Sequence, residues 1–279
     1  MYKITASIVT YRNNIEILKK AIASFLDTGL ETKLIIVDNS ESDEIGSICS
    51  DKRVEYIFNN RNIGFAAGHN IAIRKLMGLS QYHLVLNPDV FFEPGTLERC
   101  YSFMEENKDV GMVMPKIRFF DGSIQRLCKL LPTPLELILR RMDSPVIGAL
   151  FRKRLDRYCL AFTGYDKIMD VPHISGCFMF IRQEVFAKTG LFDERFFMYM
   201  EDMDFSRRVR KNFRTVYYPP AVGYHQWGKH SYSNLTALKY HAISAMKYFN
   251  KWGWFFDKER KQVNDMILEK YFRNHANGH

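Results

Sequence analysis

Glu201-Asp202-Met203-Asp204 places three carboxylates within four positions, directly after the apolar run Phe196-Phe197-Met198-Tyr199-Met200. Acids at a helix start are favoured by the helix dipole, which is reason enough for them to be there. Acids that emerge from apolar surroundings also lose hydration. That raises a carboxyl pKa and suits the group to taking a proton from a hydroxyl. Glu201 and Asp202 are both candidates for such a base, and their positions in the chain do not separate them. Asp89, in Asn87-Pro88-Asp89, follows an apolar run. A carboxylate there is either part of a proline turn or a ligand for a hard cation that bridges phosphates. His225-Gln226-Trp227-Gly228-Lys229-His230-Ser231 supplies an imidazole that can complete a metal site, with Lys229 and Ser231 able to meet a phosphate. Asp38-Asn39-Ser40 offers either an Asx turn or a carboxylate for a base or ribose hydroxyl. The stretch from Asn60 to Asn70 has small residues around a helix start, where backbone can approach a ligand. It matches neither a Walker loop nor G-x-G-x-x-G.

Elements that could position these groups can be read from periodicity. Residues 4–9, 34–37, 54–58 and 83–86 are short apolar runs suited to strands, and 34–37 is continuous enough to be buried on both faces. Residues 15–25, 65–77 and 94–104 have helical spacing. This β-α-β order predicts a mainly parallel sheet covered by helices. The polar residues Thr10-Tyr11, Asp38-Asn39 and Asn87 to Asp89 fall at strand ends, where ligands bind in open α/β sheets. Further on, 110–119 and 174–181 are strands, the latter interrupted by Gly176. Residues 183–188, 201–211, 236–249 and 257–272 are helices. A strand over 215–218 is expected to stop at Pro219-Pro220. Residues 120–165 hold three prolines and a basic stretch from Arg140 to Arg157, which suits an amphipathic surface element or a helical hairpin with a solvated basic face.

Lys plus Arg is 40 and Asp plus Glu is 31, giving 40 − 31 = +9. Such a charge fits an anionic partner. The chain carries no recognisable nucleic-acid-binding motif, so nucleic acid is not the expected one. Five widely spaced cysteines without C-x-x-C argue against a disulfide framework or structural zinc and fit reduced cytosolic thiols. The first residues read as a strand rather than a signal peptide, and no apolar run approaches the ~20 residues of a membrane span. A soluble or peripheral protein is expected.

Taken in order, Ser7-Ile8-Val9-Thr10-Tyr11, Val37-Asp38-Asn39-Ser40, Asn62-Ile63-Gly64-Phe65-Ala66-Ala67-Gly68-His69-Asn70, Leu86-Asn87-Pro88-Asp89 and Glu201-Asp202-Met203-Asp204 resemble family 2 glycosyltransferases, inverting enzymes of the GT-A fold. The likeness covers roughly residues 3–250 and is nearest to the rhamnosyltransferase-like branch of bacterial O-antigen and capsule synthesis. It implies a GT-A, Rossmann-like α/β fold. Residues 1–110 would form the nucleotide-binding half and 111–250 the acceptor-binding half, with a helical C-terminal tail over 251–279. It implies that Thr10, Tyr11 and Asp38 line a nucleoside pocket flanked by Arg61, Asn62 and Gly68. Asp89 would hold Mg²⁺ or Mn²⁺ with His225, Asn87 standing where the family has a first acid, and Asp202 or Glu201 would be the base. The implied donor is a nucleotide sugar, dTDP-rhamnose first and UDP sugars next. The implied acceptor is a glycan, carried on polyprenyl diphosphate. The implied place is the cytoplasm, in peripheral contact with anionic lipid at the inner face of the plasma membrane. A catalytically inactive scaffold and a nucleotidyltransferase are the alternatives.

Overall fold

The computed structural model describes residues 1–141, 145–226 and 235–276. Its centre is a sheet in the order β3-β2-β1-β4-β8-β6-β9-β5, with β7 paired to β9. The strands are β1 (Tyr2–Thr10), β2 (Thr32–Asp38), β3 (Val54–Phe58), β4 (Ser80–Leu86), β5 (Val90–Phe92), β6 (Val110–Arg118), β7 (Met169–Asp170), β8 (Phe178–Arg182) and β9 (Arg214–His225). The β1, β2, β3, β4, β6 and β9 strands point one way, while β5, β7 and β8 point the other. The sheet is therefore mixed but mainly parallel in direction. Leu34, Ile35, Ile36 and Val37 are all fully buried, as a strand covered on both faces requires.

The helices are α1 (Ile15–Leu26), α2 (Phe65–Leu76), α3 (Thr96–Glu106), α4 (Pro134–Leu139), α5 (Pro145–Tyr158), α6 (Gln183–Thr189), α7 (Glu201–Val209), α8 (Leu235–Trp252) and α9 (Lys258–Ala276). The first, α1, starts because the Asn14 side chain accepts from the N–H groups of Glu16 and Ile17. It buries Leu18, Ala21, Ile22 and Phe25, one apolar stripe at 3.6-residue spacing. The second, α2, lies so close to β1 that a Cβ on Gly68 would stand 2.8 Å from both Val9 methyls. The basic 120–165 region resolves into α4 and α5, with Thr133 and Glu136 forming a capping box at the start of α4. The C-terminal α9 is packed on the body: Ile267 and Leu268 join the core, and the Asn264 side chain bonds both backbone groups of Leu131.

Three expectations need correction. The strand does not stop at Pro219-Pro220, since β9 runs to His225. Its pairing with β6 jumps from Pro115↔Tyr218 to Lys116↔Val222, so both prolines sit in the bulge, where no ladder N–H is demanded of them. Residues 174–177 are not in the strand, which begins at Phe178. Pro94 precedes its helix rather than opening it, because Gly95 caps α3 in a left-handed conformation.

Candidate active site

Parallel pairing puts the carboxyl ends of β1, β2, β3 and β4 on one edge. Thr10 is opposite Asp38, Asp38 opposite Phe58, and Ile8 opposite Leu86. The antiparallel β8 begins on that same edge, with Phe178 opposite Leu86. His225, at the end of β9, is opposite Val90. Asn87, Asp89, Gly176, Cys177 and His225 thus gather at one sheet edge, and all line a cavity of about 500 Å³. Glu201 and Asp202, at the N-terminus of α7, line it as well.

The local backbone before α7 is unusual. Tyr199 and Met200 have φ of 69° and 67°, a region that costs most non-glycine residues of order 1–3 kcal/mol. Neighbours hold them there: Ser244 of α8 donates to the Met198 carbonyl at 2.8 Å, and the Phe65 N–H donates to Phe197 O at 2.8 Å. The result aims the first turn of α7 at the cavity.

Asp202 is set among donors. Its Oδ2 lies 3.0 Å from His173 Nε2 and accepts from the Gly176 N–H at 3.0 Å, while Oδ1 accepts from the Met203 N–H at 2.8 Å. Burial pushes the Asp202 carboxyl up, but the His173 imidazole, the Lys129 ammonium and the Gly176 N–H together outweigh it and hold the group below the usual carboxylate range. Glu201 has the opposite fate. Burial first, and then the neighbouring Asp202 charge, push it well above the carboxylate range, and its Oε2 is buried without a hydrogen bond. The raised pKa expected of one of these acids falls on Glu201. The acid that stays ionised at neutral pH is Asp202.

Asp89 and His225 face one another, with Oδ1 3.3 Å from Nε2. The tautomer of His225 follows from Gln125. The Gln125 Nε2 donates to the His225 carbonyl at 2.9 Å, so its Oε1 is the atom 3.0 Å from His225 Nδ1 and must accept there. Nδ1 therefore carries a proton, and Nε2 is the ring nitrogen turned toward Asp89. Asp89 Oδ1 is buried and has no hydrogen bond. A carboxylate oxygen and an imidazole nitrogen brought together in this way form a donor pair that suits Mn²⁺ well and Mg²⁺ acceptably. Among the described residues no group of three or more His, Cys, Asp or Glu side chains is gathered for a metal. The remaining ligands would have to come from substrate oxygens or water, as is usual for Mg²⁺ shared with phosphates.

The other sequence candidates are distributed as follows. Thr10, Tyr11 and Asp38 cluster at the ends of β1 and β2: Thr10 Oγ1 donates to Asn13 Oδ1 at 2.9 Å, and the Tyr11 N–H donates to the same oxygen at 2.8 Å. Asp38 is fully buried. It makes the Asx turn with the Ser40 N–H at 2.9 Å and also accepts from Tyr56 Oη at 2.8 Å. Arg61 is exposed in the loop after β3, and Asn62 accepts from the Gly64 N–H at 3.0 Å. Gly68 is buried under β1, away from the cleft. Lys229 and Ser231 lie outside the described residues. Gln125, Lys129, His173 and Gly176 were not singled out from the sequence. Each acts through a partner distant in the chain, and only the segment before β8 carried a signal, the glycine that lets Phe65 and Asp202 approach.

Comparison with known proteins gives a consistent picture. The sequence model of Glycosyl transferase family 2 matches residues 7–190. A Haloferax volcanii protein named low-salt glycan biosynthesis hexosyltransferase Agl10 is 29% identical over 64% of this chain and 53% of its own length. The chain thus spans about half of that relative. The Mycobacterium tuberculosis N-acetylglucosaminyl-diphospho-decaprenol L-rhamnosyltransferase is 25% identical over 75% of this chain and 71% of its own. Rhamnosyltransferase WbbL of Escherichia coli is 22% identical over 86% and 90%. Among solved structures, GalNAc-T7 with UDP, GalNAc and Mn²⁺ superposes with a TM-score of 0.63 at 14% identity, covering 97% of this chain and 58% of that one. Staphylococcus aureus TarS 1-349 gives 0.59 at 15%, covering 99% and 74%. These likenesses establish the GT-A fold.

Proposed function

Glycosyl transferase family 2 is the family this chain belongs to, and on that footing we propose that it moves a sugar, with inversion, from a nucleoside-diphosphate sugar to a hydroxyl of a glycan acceptor. The observation that carries the reading is one cavity lined both by an ionised Asp202 and by Asp89 and His225, which face one another. Asp89 and His225 would hold Mn²⁺ or Mg²⁺, which neutralises charge building on a departing diphosphate. Asp202 takes the proton of the acceptor hydroxyl as that oxygen attacks the anomeric carbon. The bond to the diphosphate breaks on the opposite face and its electron pair leaves with the phosphate. Burial and the Asp202 charge push the Glu201 carboxyl well above the carboxylate range, which disfavours a second negative charge beside Asp202. Thr10, Tyr11 and Asp38 receive the nucleoside, with Arg61 and Asn62 beside it.

The names of two relatives support a rhamnosyl donor, and one of them supports an acceptor carried on polyprenyl diphosphate, so dTDP-rhamnose is the first donor to try and UDP sugars the next. Such an acceptor brings the protein to an anionic membrane face. Among the described residues no helix is long and apolar enough to cross a membrane, so the contact would be peripheral.

The test is release of nucleoside diphosphate from a panel of nucleotide sugars without acceptor, in Mn²⁺, Mg²⁺ or EDTA. Slow turnover of one donor, lost in EDTA, is the expected result. Silence across the panel, repeated with polyprenyl-linked acceptors present, would overturn the reading in favour of an inactive scaffold.

A further inference from the structure

The catalytic cavity carries basic side chains besides the groups assigned above. Lys129, Arg140 and Arg141 line it, together with His241 of α8. Lys129 is fixed beside the base, because its backbone bridges that of His173, whose ring touches Asp202. Among the described residues the Lys129 ammonium has no hydrogen bond and no ion pair, although the side chain is half-buried in the cavity wall. The Asp202 charge acts on it, since Lys129 helps to hold that carboxyl low, and both side chains line the cavity. Arg140 lies close enough that burial, followed by the Arg140 charge, pushes Lys129 down to about 8. Arg141 and Arg140 likewise help burial to push His241 down to about 4. Cations crowded this tightly repel one another, and a multiply charged anion among them removes the repulsion.

Asp202 is held by His173 and two N–H groups, and Arg126, at the cavity rim, faces Asp156 at 3.3 Å. Asp89 and His225 make up the metal-ready wall. Lys129 thus lines the same cavity as the base, to which the acceptor hydroxyl must come.

We propose that Lys129, with Arg140 and Arg141, binds a phosphate or diphosphate group on the acceptor and so presents the acceptor hydroxyl to Asp202. This rests on the glycosyltransferase reading for the word acceptor, but the anion site itself can be tested without it. Lys129 offers a point charge and the two arginines offer planar forks, the usual combination for a phosphate group.

The experiment is calorimetric binding of inorganic pyrophosphate and of geranyl diphosphate to the full chain in EDTA, so that no metal draws either probe to the donor side. Lys129→Met should weaken binding about tenfold, Lys129→Arg should restore it, and Asp89→Asn should leave it unchanged. Lys129→Gln serves as the second charge-removing variant, with thermal unfolding confirming that each protein is folded. Tighter binding of geranyl diphosphate than of pyrophosphate assigns the phosphate to a lipid carrier, and equal affinities assign it to the glycan itself; both support the site. Unchanged binding in both Lys129→Met and Lys129→Gln overturns the proposal. So does displacement of pyrophosphate by a nucleoside diphosphate whose own affinity is unchanged in Lys129→Met, because that places the anion on the donor side. Failure of the glycosyltransferase reading would show instead as silence in the donor panel, with the calorimetry intact.

Discussion

Asp202 and Glu201 are neighbours in the chain with opposite proton affinities. The cause lies outside α7: His173 and the Gly176 N–H reach Asp202 from the segment before β8, whereas the Glu201 Oε2 is buried with no partner. No reading of Glu201-Asp202-Met203-Asp204 alone could have told the two apart, because what separates them is some 26 to 29 positions away. Asp202→Asn is expected to lower transfer at least 100-fold, the usual scale for losing a general base, while calorimetric affinity for the nucleoside diphosphate stays within twofold. Near-normal turnover would move the base assignment elsewhere. Glu201→Gln, which mimics the protonated form, should keep most of the activity in the same assay. Gln125 is the other residue whose importance only the fold reveals. By fixing the His225 tautomer it readies Nε2 for a metal, and loss of such an outer partner typically costs 10–100-fold in metal affinity. Gln125→Leu should therefore weaken Mn²⁺ binding by about that factor, read by Mn²⁺ titration followed by electron paramagnetic resonance. Unaltered affinity would show that His225 needs no help.

At the scale of elements, the first half was legible because each strand and helix there carries its own period. Residues 34–37 and the stripe Leu18, Ala21, Ile22 and Phe25 announce themselves locally. The second half was not, because its elements are defined by partners. The β9 strand survives two prolines only by bulging against β6, and β7 is two residues long. One junction of elements carries a pH prediction. Ser7 of β1 bridges His69 of α2 at 2.7 Å and His83 of β4 at 2.9 Å, and Thr5 meets the other His83 nitrogen at 3.0 Å. Burial pushes His83 down to about 3 and His69 well below its ordinary value. In the unfolded chain both titrate near 6.5, so the unfolded state takes up protons that the folded state refuses. Stability is complete above about pH 6.5 and is lost as the pH falls toward the folded values. At pH 4.5 His83 alone accounts for about 3 kcal/mol. Urea unfolding at pH 7 and pH 4.5 should show a loss of at least that order, and a flat profile would mean the two imidazoles are not buried neutral.

At the scale of the whole molecule, exposed aromatics and basic side chains meet in one region, where Arg154 and Lys261 also pair with Glu136 and Asp265. Phe255 and Phe256, in the turn between α8 and α9, are 78% and 97% exposed, and Trp254 beside them is 38% exposed. Phe255 and Phe256 line a cavity of about 750 Å³ with Arg154, Arg157, Lys258 and Lys261. Adjacent aromatics standing in water gain by entering a lipid interface, and cations around them gain from anionic headgroups. The chain's excess of cations was plain from composition, but the aromatic turn drew no notice, because exposure is a property of the fold. The cavity holding Asp202 shares Tyr158 with this one, so a membrane seated at the turn would lie beside the acceptor wall. In vesicle flotation the protein should float with vesicles containing a third phosphatidylglycerol and much less with neutral ones. Raising the salt to about 0.5 M should release it, since screening then acts within a few ångströms. Phe255→Ser combined with Phe256→Ser should weaken flotation about tenfold at constant charge, the loss expected when two rings no longer insert even partly. Equal flotation on neutral and anionic vesicles would exclude the electrostatic half of this contact, and an unaffected double variant would exclude the aromatic half.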